Sequence, residues 1–195
     1  MHDLLFLITL FPGMFLLLTK RLPIIGKKSN FFQYLICLSL VTIINGFFFQ
    51  QSWFVLIAAI SVLTLSFLLF AVEYLILEKK CKKLLSVYRK NRTIIQSIVY
   101  FPVLEELIFR YFIYQYCLIL GYQNFQYILL STFAFVIAHI FYQGAASTVK
   151  CIFALTLNLV FILTLNIFVT ILIHSLFNFF VYLMRISMYD GYKNW

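Results

Sequence analysis

The sequence predicts an all-α membrane protein, a polytopic bundle of about seven transmembrane helices, and three observations carry that prediction. Hydrophobic residues make up 64% of the chain and charged residues only 11%, with a mean hydropathy of +1.01, far from the balance of a soluble domain. The apolar residues gather in runs long enough to cross a bilayer at about 20 residues per span. Lys and Arg collect in alternate connections between those runs. With 195 residues there is room for roughly six to eight crossings and little else, so residues 1–195 form a single membrane-embedded domain.

In chain order the runs occupy about 4–18, 31–49, 52–77, 94–120, 124–142 and 151–184. The last run would make a rod of about 50 Å against a hydrocarbon core of about 30 Å, so it is two helices with a turn near Asn166. Gln50-Gln51-Ser52, Gly121-Tyr122-Gln123-Asn124 and Gly144 mark other helix ends, being residue types that stop helices and make turns. Cys37, Cys81, Cys117 and Cys151 lie scattered without metal-ligand spacing and are read as structural.

Basic residues set the orientation. Lys20, Arg21, Lys27 and Lys28 follow the first run, and Lys79, Lys80, Lys82, Lys83, Arg89, Lys90 and Arg92 follow the third. Both connections should therefore be cytoplasmic. Lys150, Arg185 and Lys193 agree, and the expected topology has the N-terminus outside and the C-terminus in the cytoplasm. No basic residue precedes the first run, the reverse of a secretory signal peptide, so that run is expected to remain in the mature protein. The net charge of +9 is then accounted for by topology and anionic headgroups. A nucleic-acid partner has no patch or motif to rest on.

Function is read from ionisable residues inside the apolar runs, where each costs roughly 2.5–3.5 kcal/mol near mid-membrane. Glu105 and Glu106 lie in the fourth run, His139 in the fifth and His174 in the seventh. Glu106 and Arg110 are spaced i,i+4 with the acid first, the better order for a helical ion pair. Glu105 then has no cation of its own and is a candidate general base. Phe135 stands four residues before His139 and is expected to pack beside it and set its direction. His174 and Asn178 project the same way and are candidates to hydrogen-bond a developing oxyanion. Asn158 and Asn166 read as interhelical hydrogen-bonding residues, and Glu73 as reaching for the interface. A purely structural cluster of buried charges would show the same residues, but three polar clusters on three helices favour chemistry.

The ordered set ExxxR with a doubled Glu, FxxxH and HxxxN, on residues 105–110, 135–139 and 174–178, resembles the CPBP family of intramembrane proteases. This family groups CAAX prenyl proteases with bacteriocin-processing and immunity proteins and is also called Abi. The resemblance covers residues 94–184, expected to be the catalytic core. Tyr111 departs from the small residue that commonly follows the motif Arg.

The resemblance implies an endopeptidase in which Glu105, helped by His139, activates water, while His174 and Asn178 stabilise the tetrahedral intermediate and Glu106, Arg110 and Phe135 support them. Metal use stays open. Glu105, His139 and His174 are also a possible set for zinc or another divalent metal, although the histidines lack the HExxH spacing. Substrates would be membrane-bound peptides or proteins, cleaved within the lipid bilayer in a polar cavity among the fourth, fifth and seventh spans. Abundant Phe and sparse Gly (24 and 6 residues) fit an AT-rich bacterial genome, and with it peptide maturation or bacteriocin self-immunity. A non-catalytic immunity or scaffold protein is the alternative, and a proton-coupled transporter a third reading that lacks a visible inverted repeat.

Depth leaves one question for the fourth helix. If it runs unbroken, Glu105 lies about 16 Å from its cytoplasmic end; if Pro102 starts a new helix, only about 5 Å.

Overall fold

The computed structural model describes residues 2–22, 29–49, 57 and 92–192, with side chains described as far as Tyr182. The expected third span, Glu73, Cys81, the basic connection before Arg92, Lys27 and Lys28, Gln50-Gln51-Ser52 and the side chains of Arg185 and Lys193 lie outside the described residues. Within them the fold is an all-α membrane helix bundle with no strand.

The first apolar run is not one continuous helix. α1 (His2–Leu10) and α2 (Phe15–Thr19) flank a 3-10 turn over Pro12–Met14. Phe11 leaves helical geometry (φ −123°, ψ 53°), as the residue before a proline tends to do. The break lets the backbone press against another helix. A Cβ on Gly13 would lie 2.8 Å from Ala138 Cα, so glycine is required by close approach.

α3 (Asn30–Phe48) begins at Ser29, whose Oγ accepts a hydrogen bond from Phe32 N–H (3.3 Å), an N-cap of the common kind. α4 spans residues 92–119 without a break and answers the question of Pro102. Two π turns, Gln96–Tyr100 and Leu107–Phe112, bracket the α-helical Phe101–Glu106. At the first, Phe101 N–H bonds to the Gln96 carbonyl, five residues back. This wider turn lies where the Pro102 ring would meet the carbonyl four residues back.

Neighbouring helices take up carbonyls in both π turns. Asn178 Nδ2 donates to Ser97 O (2.9 Å) and Ser131 Oγ to Phe109 O (2.6 Å).

α5 (Asn124–Gln143) starts after Gly121 (φ 71°) with a reciprocal cap between Gln123 and Gln126, and ends at Gly144 (φ 88°). A 3-10 turn (Ala145–Val149) leads into α6 (Lys150–Thr164). The long last run divides where expected. Leu165 takes a left-handed conformation (φ 48°), and Asn166 Oδ1 accepts from Phe168 N–H (2.9 Å) to open α7 (Ile167–Tyr192). Asn166 thus caps a helix end and, among the described residues, makes no bond between helices of the kind expected.

α3, α5 and the Ala145–Thr164 segment are each long and apolar enough to cross a membrane, and α4 at about 1.5 Å per residue exceeds the hydrocarbon thickness. α4 is the centre of the bundle, packed by α1, α3, α5 and α7. Its residues Glu106 through Arg110, and Phe112 and Ile113, have no exposed surface, which is how two adjacent glutamates both face protein rather than lipid. Tyr111, the departure from the motif, is half-buried and meets Phe112 edge-on.

Two polar hubs tie the helices together, since apolar burial alone gives no net drive between helices in lipid. Asn158 on α6 accepts from Tyr127 (3.1 Å) and donates to Thr132 (2.9 Å), and its Oδ1 lies 2.9 Å from the Ser131 hydroxyl, all on α5. This is the interhelical role expected of it. Asn45 on α3 donates to Thr9 on α1 (2.9 Å) and accepts from Tyr116 on α4 (2.9 Å). Cys37 and Cys117 are buried free thiols and Cys151 is half-buried.

Candidate active site

Glu105 is at the focus of the cluster. Its Oε1 lies 3.6 Å from His139 Nε2 and its Oε2 3.5 Å from His174 Nε2. All three residues are 3% exposed. Three helices distant in sequence thus bring one carboxylate and two imidazoles to one point.

Each imidazole is held by its other nitrogen. His139 Nδ1 lies 2.9 Å from the carbonyl of Phe135, one turn earlier on α5, and a carbonyl requires that nitrogen to donate. The Phe135 ring lies 4.2 Å from the imidazole, centroid to centroid. Phe135 therefore sets His139 with both its ring and its backbone. His174 Nδ1 donates to Glu106 Oε1 at 2.7 Å. With both Nδ1 atoms engaged as donors, both Nε2 atoms face Glu105.

Glu106 joins this group to Arg110. Its Oε2 lies 3.2 Å from Arg110 Nε, with both side chains fully buried. Glu106 Oε2 and Arg110 Nε lack a well-aligned hydrogen bond, so the pair is held by charge more than by directed bonding. Arg110 gains two further contacts: Nη2 reaches Ala154 O at 3.5 Å, and Cζ lies 4.9 Å from the Phe135 ring centroid. A guanidinium over an aromatic face is favourable, the more so when desolvated. Phe135 thus contacts both the cation and His139.

Asn178 is half-buried on α7 one turn beyond His174, with Nδ2 bonded to Ser97 O. This contact fixes α7 against the first π turn of α4.

Tyr34 on α3 was not singled out by sequence, because nothing in Phe31-Phe32-Gln33-Tyr34 distinguishes it from any aromatic in a span. It is fully buried, and its ring is stacked on Tyr142 (4.7 Å, 10°) and Phe101 (5.5 Å, 24°) and lies edge-on to His139 (6.0 Å). Its hydroxyl interacts with the Glu105 carboxylate yet has no partner in hydrogen-bonding geometry among the described residues.

A cavity opens near the site. A space of about 600 Å³ is lined by Asn30, Phe31, Tyr142, Gln143, Ala146, Ser147, Val149 and Lys150. It lies between α3, the end of α5 and the connection to α6. Tyr142 in its wall stacks on Tyr34, which borders Glu105 and His139.

The donor set has the chemistry of a metal site, with two braced imidazoles and a carboxylate. The arrangement does not fit one: among the described residues no group of three His, Cys, Asp or Glu could hold a metal ion.

No curated protein and no solved structure matches the chain. Residues 91–180 match the family model described as Rce1-like, type II CAAX prenyl endopeptidase Rce1-like. The segment carrying Glu105, His139 and His174 is thus similar to the CAAX-type intramembrane proteases, the family its motifs resemble, and the chain is an integral membrane protein.

Proposed function

We propose that this protein hydrolyses a peptide bond of a membrane-bound peptide with a water molecule activated by Glu105. The observation that supports this best is the placing of the Glu105 carboxylate between two imidazole Nε2 atoms. His139, donating through Nδ1, presents a lone pair at Nε2, and the Glu105 carboxylate is also an acceptor. Two acceptors turned towards one another need protons between them. A substrate water has two to give.

In the proposed reaction Glu105 takes a proton from water bonded to it and His139, and the water oxygen adds to the scissile carbonyl carbon. The carbonyl electrons become an oxyanion, stabilised by His174 when Nε2 carries a proton. Glu106, accepting from His174 Nδ1, holds the ring with Nε2 towards the site. The C–N bond then breaks as the amine nitrogen receives the proton held on Glu105. Asn178 acts at the oxyanion with His174, its second amide proton remaining for that purpose, while Glu106, Arg110 and Phe135 hold the two histidines. Residues 94–184 form the catalytic core, and no metal takes part in the steps.

The substrate class we favour is a bacterial leader or signalling peptide, or a bacteriocin in self-immunity, supported by the composition. Alternating basic connections support a cytoplasmic placement for the Lys20-Arg21 and Lys150 ends, with the N-terminus outside.

The test is reconstitution in proteoliposomes with a library of membrane-tethered peptides, products being read by mass spectrometry. Glu105→Gln and His139→Ala should each lose cleavage by about 10²-fold or more while still folding. Undiminished cleavage in both would refute the mechanism and leave a protein that acts by binding.

A further inference from the structure

We propose that Tyr34 is a further catalytic residue, its hydroxyl donating a hydrogen bond to the oxyanion formed on the scissile carbonyl. The inference rests on the hydrolytic reading above and adds a donor from α3, an element outside all three motifs and outside the matched residues 91–180.

Three observations lead to it. The hydroxyl is fully buried and has no hydrogen-bond partner among the described residues. Such a group costs about 1–3 kcal/mol relative to a satisfied one, and a phenylalanine would fill the same stack without that cost. Next, the ring is clamped. Tyr142 and Phe101 stack on it and His139 meets it edge-on, so the hydroxyl has little freedom to seek another partner. Finally, it is close enough to the carboxylate between the two histidines to act on it electrostatically, and Tyr142, stacked on its ring, lines the cavity near Lys150.

Chemistry selects the role. A neutral phenol donates one proton. Donation to the attacking water's lone pair would weaken the nucleophile. Donation to the carbonyl oxygen becomes stronger as negative charge develops there, which is the condition for lowering a barrier rather than only binding substrate. A pre-positioned donor also needs little reorganisation at the moment of reaction.

The test uses the full chain in proteoliposomes, a tethered peptide that the wild type cleaves, and its non-hydrolysable phosphinate analogue. Tyr34→Phe should lower kcat by about 10²- to 10³-fold with KM little changed. It should weaken phosphinate binding by a similar factor and leave the thermal midpoint equal or higher. A Tyr34→Phe variant with wild-type kcat and phosphinate affinity, alongside an inactive Glu105→Gln, overturns the Tyr34 assignment and leaves the hydrolytic reading intact. An active Glu105→Gln overturns that reading instead, as does a wild type that cleaves nothing, and either removes the basis for Tyr34. Should Tyr34→Phe fail to fold, 3-fluorotyrosine at position 34 keeps the ring and hydroxyl while strengthening the donor. Phosphinate affinity should then rise, and an unchanged affinity overturns the assignment.

Discussion

Substituting Glu106→Gln separates a stranded charge from a lost hydrogen bond. The carboxylate lies 3.2 Å from Arg110 Nε and 2.7 Å from His174 Nδ1, and neither Glu106 nor Arg110 has exposed surface. A glutamine oxygen can still accept from His174, so the main loss is the negative charge. Arg110 would retain only the Phe135 face at 4.9 Å and a long contact to Ala154 O at 3.5 Å. Polar contacts within membranes average about 0.6 kcal/mol, whereas leaving one member of a buried ion pair uncompensated costs about 3–5 kcal/mol. The second value should apply, lowering the thermal midpoint by roughly 6–20 °C. With Cys81 and Cys151 replaced by serine, the buried free thiols of Cys37 and Cys117 let a thiol-reactive dye report unfolding in detergent micelles. The double variant Glu106→Gln/Arg110→Gln should recover most of the loss yet remain poorly active, having no anion beside His174. A single variant within about 1 kcal/mol of wild type, or a double variant no more stable than the single, would refute the reasoning.

Three further outcomes follow from the geometry. Gly13→Ala places a Cβ 2.8 Å from Ala138 Cα and should cost about 1–3 kcal/mol by overpacking; because the pressure falls beside His139, the folded fraction should also lose cleavage activity. Asn158→Leu removes the Asn158 acceptor of Tyr127 and the Asn158 donor to Thr132, and should lower stability by about 1–3 kcal/mol in the same dye assay. Dialysis against 1,10-phenanthroline should leave proteoliposome cleavage unchanged, whereas loss restored by added zinc would show that the metal-free scheme is wrong.

The helices were legible because lipid imposes a length and an apolar composition that survive in the sequence. Leu165-Asn166 could be placed from length alone, since 151–184 is too long for one crossing. The broken first run was less visible: Pro12-Gly13 was present, but the need for Gly13 comes from Ala138, far away in sequence. Likewise, Pro102 could have meant a break or a continuing helix, and only the π turn, paired through Ser97 with Asn178, distinguishes them. Within the site, i,i+4 spacing foretold Glu106–Arg110 and Phe135–His139, whose partners share a helix. It could not show His174 on Glu106, Glu105 between both imidazoles, or Tyr34 beside them, because those contacts depend on how separate helices meet. Asn166 shows the opposite error, a polar residue in an apolar run whose partner is local.

The tight reversal at Leu165-Asn166 also bears on biosynthesis. α6 and α7 form a hairpin that can enter the membrane as a unit. A nascent chain that has reached Thr164 already contains Glu105, Glu106 and His139 but still lacks His174, the imidazole that engages both glutamates. On the hydrolytic reading the growing polypeptide is therefore latent, and the capacity to cut its neighbours arrives only when the last helix is delivered.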